Sequence, residues 1–163
     1  MAAAKKAFGK LAQAFYATPR WTLRHFKANV QEGMDKESWK MMLPGIRSSV
    51  QVTELKDSMR VMESMTAEEL DGDVAVAGLR LARISKESEQ SVPYVADVLA
   101  RYEQTVLLHK WLRRRKDDGK PEPETLEDAT YLMARDPAAR PPRDGRANRP
   151  MRNMMRRNAR RGF

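Results

Sequence analysis

Ten arginines fall between Arg135 and Phe163, against two acids, Asp136 and Asp144. A guanidinium is a planar fork that grips phosphate with paired hydrogen bonds and stacks on bases; lysine, which would serve solubility equally well, does not occur in this stretch. The tail therefore reads as an RNA-contacting segment in which Arg140, Arg143, Arg146, Arg149, Arg152, Arg156, Arg157, Arg160 and Arg161 bridge phosphates of separate RNA helices. Arg80, Arg83 and Lys86, with the run Arg113-Arg114-Arg115-Lys116, offer a second basic face. Residues 135 to 163 carry +8 of the formal +9, whereas residues 1 to 134, with 21 bases and 20 acids, are almost neutral. Such a distribution selects an acidic polymer as partner.

Other chemistries find less support. Met41, Met42, Met59, Met62 and Met65 supply unbranched thioethers that adapt to varied apolar ligands, the property a peptide groove needs, although methionines at helical spacing are more commonly core. The chain has no cysteine, which removes disulfides, thiolate metal sites and a cysteine nucleophile. His25 and His109 stand alone, without a second ligand at i+3 or i+4, so no metal site is expected. Glu68-Glu69 sits at a helix start, and Asp117-Asp118 and Glu122 with Glu124 belong to a connector, where carboxylates serve solvation. No GxxxxGK[ST] phosphate loop occurs in these 163 residues. An enzyme is not expected, nor is a cofactor.

These side chains require helices to position them. Thr18-Pro19 interrupts a first basic segment, and Trp21, Leu23, Phe26 and Val30 give a second apolar set that Gly33 is expected to end. Trp39, Met41, Met42 and Leu43 precede Pro44-Gly45, which marks 39 to 50 as a hydrophobic loop. Val52, Leu55, Met59 and Met62 share one face of a helix over 52 to 64. Thr66-Ala67-Glu68-Glu69 has capping-box form, and the helix it opens stops near Gly72. Val74 to Ile84 reads as helical, and Ser85 to Gln90 as a polar connector. Ser91 caps the longest apolar helix, which runs through Val92, Val95, Val98, Leu99, Tyr102, Val106 and Leu112 to the 113–116 basic run; Asp117-Asp118-Gly119 ends it. Thr125 caps a short helix that Asp136-Pro137 terminates. Beyond it, prolines and few apolar residues leave a tail expected to order only when bound. No apolar run reaches the roughly 20 residues of a membrane-spanning helix.

The reading is all-α, a small helical bundle with extensions. Residues 1–31 form a basic N-terminal extension with no acid before Glu32, which has the composition of an organellar targeting segment; a basic helix lying on a particle surface is the other reading. The bundle occupies 32–116, a linker with a short helix 117–136, and the RNA-binding tail 137–163.

From Met41 to about Trp111 the order of pieces resembles the methionine-rich M domain of the signal recognition particle 54 kDa protein. The pieces are Met42-Leu43-Pro44-Gly45, Ser64-Met65-Thr66-Ala67-Glu68-Glu69, Arg80 with Arg83-Ile84-Ser85, Glu87-Ser88-Glu89-Gln90-Ser91-Val92, and Val95, Leu99, Tyr102 in the long helix. The resemblance implies a helical bundle that binds RNA through an arginine-containing helix-turn-helix and a signal peptide in a methionine-lined groove. Glu87 and Glu89 stand where that family has turn glycines, and Leu81 and Ala82 interrupt its arginine cluster, so its mode of RNA recognition is weakened here. The function expected is a structural RNA-binding component of a ribosome, in the mitochondrial matrix, with rRNA and neighbouring ribosomal proteins as partners and DNA not expected. The alternative is a signal-peptide or nascent-chain binding module of a targeting system, cytoplasmic in its localisation.

Overall fold

The computed structural model of the protein describes residues 2–36 and 52–139. Among them are seven α-helices and no strand: α1 Ala2–Ala17, α2 Leu23–Lys36, α3 Val52–Glu63, α4 Ala67–Asp71, α5 Leu79–Ser88, α6 Val92–Asp117 and α7 Leu126–Arg135, followed by a 3₁₀ turn at Pro137–Ala139. The all-α reading holds. The loop expected at 39–50 and the arginines from Arg140 onward lie outside the described residues.

Three helix starts follow from single hydroxyls. Thr66 accepts from the Glu69 backbone N–H while the Glu69 carboxylate accepts from the Thr66 N–H, a complete capping box. Ser91 accepts from Tyr94 N–H, and Thr125 from Asp128 N–H. Each satisfies a donor that the first helical turn leaves without a partner.

Helix α6 is the spine, and each half carries its own core. Around its first half, Val95 and Val98 pack with Leu23, Phe26 and Val30 of α2, Leu55, Met59 and Met62 of α3, and Ile84 of α5. Around its second half, Leu108, Trp111 and Leu112 pack with Phe8, Leu11, Ala12 and Phe15 of α1, Trp21, and Ala129 of α7. Tyr102 touches both clusters, and its hydroxyl donates to the Trp21 carbonyl at 3.1 Å.

Several boundaries differ from the expectation. Residues 1–31 are not an appendage in this structure: α1 and α2 contribute seven of the buried apolar side chains just named, because the Phe8, Leu11, Phe15 stripe matches the second half of α6. The C-terminal carbonyls of α1 are also tied down, since Arg113 Nη1 donates to Tyr16 and Thr18 at 3.2 and 3.0 Å and His109 Nε2 meets the Thr18 carbonyl at 2.7 Å. Residues 117–136 likewise hold α7 against α6, with Trp111 Nε1 donating to Asp136 Oδ2 at 2.9 Å. Gly33 does not stop α2, because one glycine costs a helix only about 1 kcal/mol relative to alanine. Val74 to Ala77 are not helical; Gly78, at φ 58 and ψ −122, sets the start of α5 at Leu79. Finally, Ser85 to Ser88 belong to α5 and not to a connector, because Ser88 Oγ bonds back to the Ile84 carbonyl at 2.6 Å and Arg83 pairs with Glu87 one turn on.

Candidate peptide and nucleic-acid interfaces

Helix α5 and the start of α6 form the helix-turn-helix on which Arg80, Arg83 and Lys86 were expected to meet RNA. Arg83 is engaged within the protein. Its Nη2 donates to both oxygens of Glu69, at 2.8 and 2.6 Å, while Nη1 donates to the Ser64 carbonyl at 3.0 Å and to Glu87 at 2.7 Å. Glu69 is only 2 % exposed. Burial alone would raise its carboxyl, but hydrogen bonds from the Thr66 backbone and Arg83 outweigh that and hold it below the usual carboxylate range. Arg83 therefore pins α4 to α5 and has little left to offer a phosphate. Arg80 stands 3.8 Å from Glu69 and half exposed, and Lys86 is exposed.

The turn itself is Glu89-Gln90-Ser91. Glu89 has φ 57 and ψ 29, the left-handed conformation that glycine adopts freely, and it is the one non-glycine among the described residues with positive φ. Ser85 Oγ donates to the Gln90 carbonyl at 2.5 Å and helps to fix the bend. Glu87 and Glu89 are both exposed beside it.

The second basic group is spoken for as well. Arg113 caps α1, Arg114 donates to the Ala138 carbonyl at 3.2 Å, Arg115 donates to the Pro121 carbonyl at 2.7 Å and lies over the Trp111 ring, and Lys116 sits 4.0 Å from the centre of the Tyr16 ring. The two groups are not brought together. Arg113 lies some twenty residues along α6 from the turn, roughly 30 Å at the helical rise.

The methionines divide similarly. Met59, Met62 and Met65 are 8 %, 0 % and 6 % exposed and belong to the first core, so they cannot line an open groove in this structure. Met59 and Met62, three apart, share the face of α3 that packs into the first core, and Met65, two residues past the end of α3, packs into the same core. Met41 and Met42, and the tail arginines Arg140, Arg143, Arg146, Arg149, Arg152, Arg156, Arg157, Arg160 and Arg161, lie outside the described residues.

A cavity of about 460 Å³ opens between α1, the last turn of α6 and residues 122–124, with Phe8, Ala12 and Tyr16 on its apolar side and Gln13, Lys116 and Glu122 among its polar lining. No residue type or spacing in the sequence points to it. Among the described residues no group of three or more His, Asp or Glu side chains is placed to hold a metal ion, and no helix is long and apolar enough to cross a membrane.

A family model described as the signal peptide binding domain matches residues 4–125, from α1 to the residue that caps α7. A comparison with curated proteins finds no match.

Proposed function

We propose, from the premise that this chain belongs to the signal peptide binding domain family, that it binds the hydrophobic segment of a signal peptide or nascent chain. The observation that carries this reading is the extent of the match, which takes in α1 to α6 and so nearly all of both cores. With Met59, Met62 and Met65 committed to packing, the contact residues are sought in the sequence between α2 and α3, where Trp39, Met41, Met42, Leu43, Ile46 and Val50 are concentrated within 15 residues, 37 to 51. Both flanking helices are anchored in the first core through Val30 and Leu55. Two fixed ends and adaptable apolar side chains between them suit ligands that share hydrophobicity and not sequence.

The test replaces Met42 and Met62 singly with a photo-crosslinking residue in the full chain and adds a synthetic hydrophobic signal peptide. Saturable crosslinking from position 42 and none from position 62 is expected. Absence of saturable binding, or crosslinking from 62 alone, overturns the assignment.

A second reading is favoured by one observation, the tail with its net +8. In that reading the chain is a component of an RNA–protein particle, with rRNA of a mitochondrial ribosome as the partner. RNase treatment of a sedimented particle separates the two: release of the protein supports RNA retention, and unchanged sedimentation counts against it.

A further inference from the structure

Helix α1 has the layout of the peptide assigned above as the partner. Lys5-Lys6 comes first, and the eleven residues from Ala7 to Ala17 then carry one charge, Lys10. A positive start followed by an apolar stretch of about 7–15 residues is how a signal peptide is built. Phe8, Leu11, Ala12 and Phe15 follow the i, i+3, i+4, i+7 spacing with which a helix lies in a groove, and they pack with Leu108, Trp111 and Leu112 of α6. At the other end of the stripe Lys5 pairs with Glu124 and is also drawn by the Asp128 carboxylate. The surface under α1 thus accepts an apolar helical stripe with a cation at one end.

Several features make α1 separable from that surface. Pro19 lies between α1 and α2, and the chain just beyond it is held elsewhere: Arg20 donates to the Gly72 carbonyl at 3.0 Å, and the Tyr102 hydroxyl donates to the Trp21 carbonyl at 3.1 Å. The bonds from Arg113 and His109 fall at this hinge end of α1. Among the described residues no backbone–backbone hydrogen bond joins α1 to another element, and the exposed Lys5–Glu124 pair adds little stability. The seat is also underfilled. The cavity of about 460 Å³ runs along Gly9 and Ala12, the small residues of the helix, and a Cβ at Gly9 would meet nothing within 4 Å.

We propose that α1 is a resident stand-in for the peptide: it covers the second half of α6 in the free chain and swings out about Thr18-Pro19 when an apolar peptide helix takes its seat. The inference rests on the peptide reading above and names the surface that receives the apolar stretch. The incoming helix reburies Leu108, Trp111 and Leu112, turns its basic end to Glu124 and Asp128, and fills the space beside Gly9 and Ala12 with bulkier side chains. Because α1 turns Lys10 and Gln13 outward, a segment apolar on more of its circumference displaces it, whereas a weakly apolar one does not. Apparent affinity is then the intrinsic affinity scaled by the fraction of chains whose seat is open.

The experiment measures, by fluorescence anisotropy, binding of a labelled synthetic peptide with two lysines followed by about ten leucine and alanine residues. Phe8→Ala loosens α1 and leaves the α6 surface intact, so it is expected to tighten binding about tenfold or more. The chain has no cysteine, so Lys5→Cys with Glu124→Cys can be joined by a bis-maleimide, which fixes the free end of α1. The joined chain is expected to lose binding at least about tenfold against the same double variant left unjoined, a comparison that does not depend on how Phe8→Ala folds. Equal binding by joined and unjoined chains overturns the displacement and leaves the peptide reading standing. Weaker or unchanged binding by a folded Phe8→Ala chain does the same, and no saturable binding by any of these chains overturns both.

Discussion

Replacing Arg83 with methionine leaves the Glu69 carboxylate, 2 % exposed, with the Thr66 N–H as its close donor and Arg80 at 3.8 Å as its remaining charge partner. Breaking a fully buried pair costs about 3–5 kcal/mol, and the one-third exposure of Arg83 lowers the expected loss to about 2–3 kcal/mol, readable as a fall in the urea midpoint. Because the Glu69 carboxyl is held below its ordinary value, the stability it contributes is complete above the free carboxylate range and is lost as pH falls through the folded value. Glu89 leads to the opposite expectation. A left-handed non-glycine residue costs about 1–2 kcal/mol, and glycine gives back about 0.5–1 kcal/mol of that through the greater freedom of its unfolded chain. Glu89→Gly is therefore expected to stabilise by about 0.5–1 kcal/mol and raise the melting temperature by a few degrees; a lower melting temperature would refute the strain assigned to that turn. Capping residues were legible in the sequence, since Thr66, Ser91 and Thr125 act over three residues. The partner of Glu69 was not, because Arg83 lies fourteen residues away and only the packing of α4 on α5 brings them together.

Among the elements, α1 depends most on what another helix offers it. Its last carbonyls are met by Arg113 and His109 of α6, and His109 is 3 % exposed. Burial lowers the imidazole's affinity for a proton, and the neighbouring Arg113 charge lowers it further, against the Thr18 hydrogen bond, which raises it. The net shift is downward, so the docking of α1 is fully supported above about pH 6.5, the free imidazole value, and weakens progressively as pH falls below it. His109→Gln keeps a donor for Thr18 but cannot titrate. Thermal unfolding followed between about pH 7 and pH 5 should show a decline in the parent chain and a flatter profile in this variant; equal slopes would remove His109 from the account. Apolar spacing identified α1 as an amphipathic helix but could not say what covered it. Its basic composition suggested an extension, whereas the face bearing Phe8, Leu11 and Phe15 fits the second half of α6, a hundred residues away in sequence.

At the scale of the whole molecule, a nearly neutral body and an arginine tail respond differently to salt. Single-stranded RNA binding by the full chain is expected to fall with a log–log slope of about −4 to −7 against salt concentration, and replacing the nine arginines from Arg140 to Arg161 with glutamine should bring it to about −1 to −2. A slope unchanged by that replacement would assign the phosphate contacts to the body. The two-core plan also imposes an order in time. The α2–α5 cluster joins segments close in the chain, but the bonds that seat α1 run from Arg113 to carbonyls 95 to 98 residues earlier. At a synthesis rate of about 5–20 residues per second, α1 waits roughly 5–20 seconds for the last part of the spine. Throughout that interval Phe8 and Leu11 lack the α6 side chains that cover them in the finished fold, and Phe15 has only Trp21 beside it, so the segment that completes the second core is one a growing chain must shield while the rest is made.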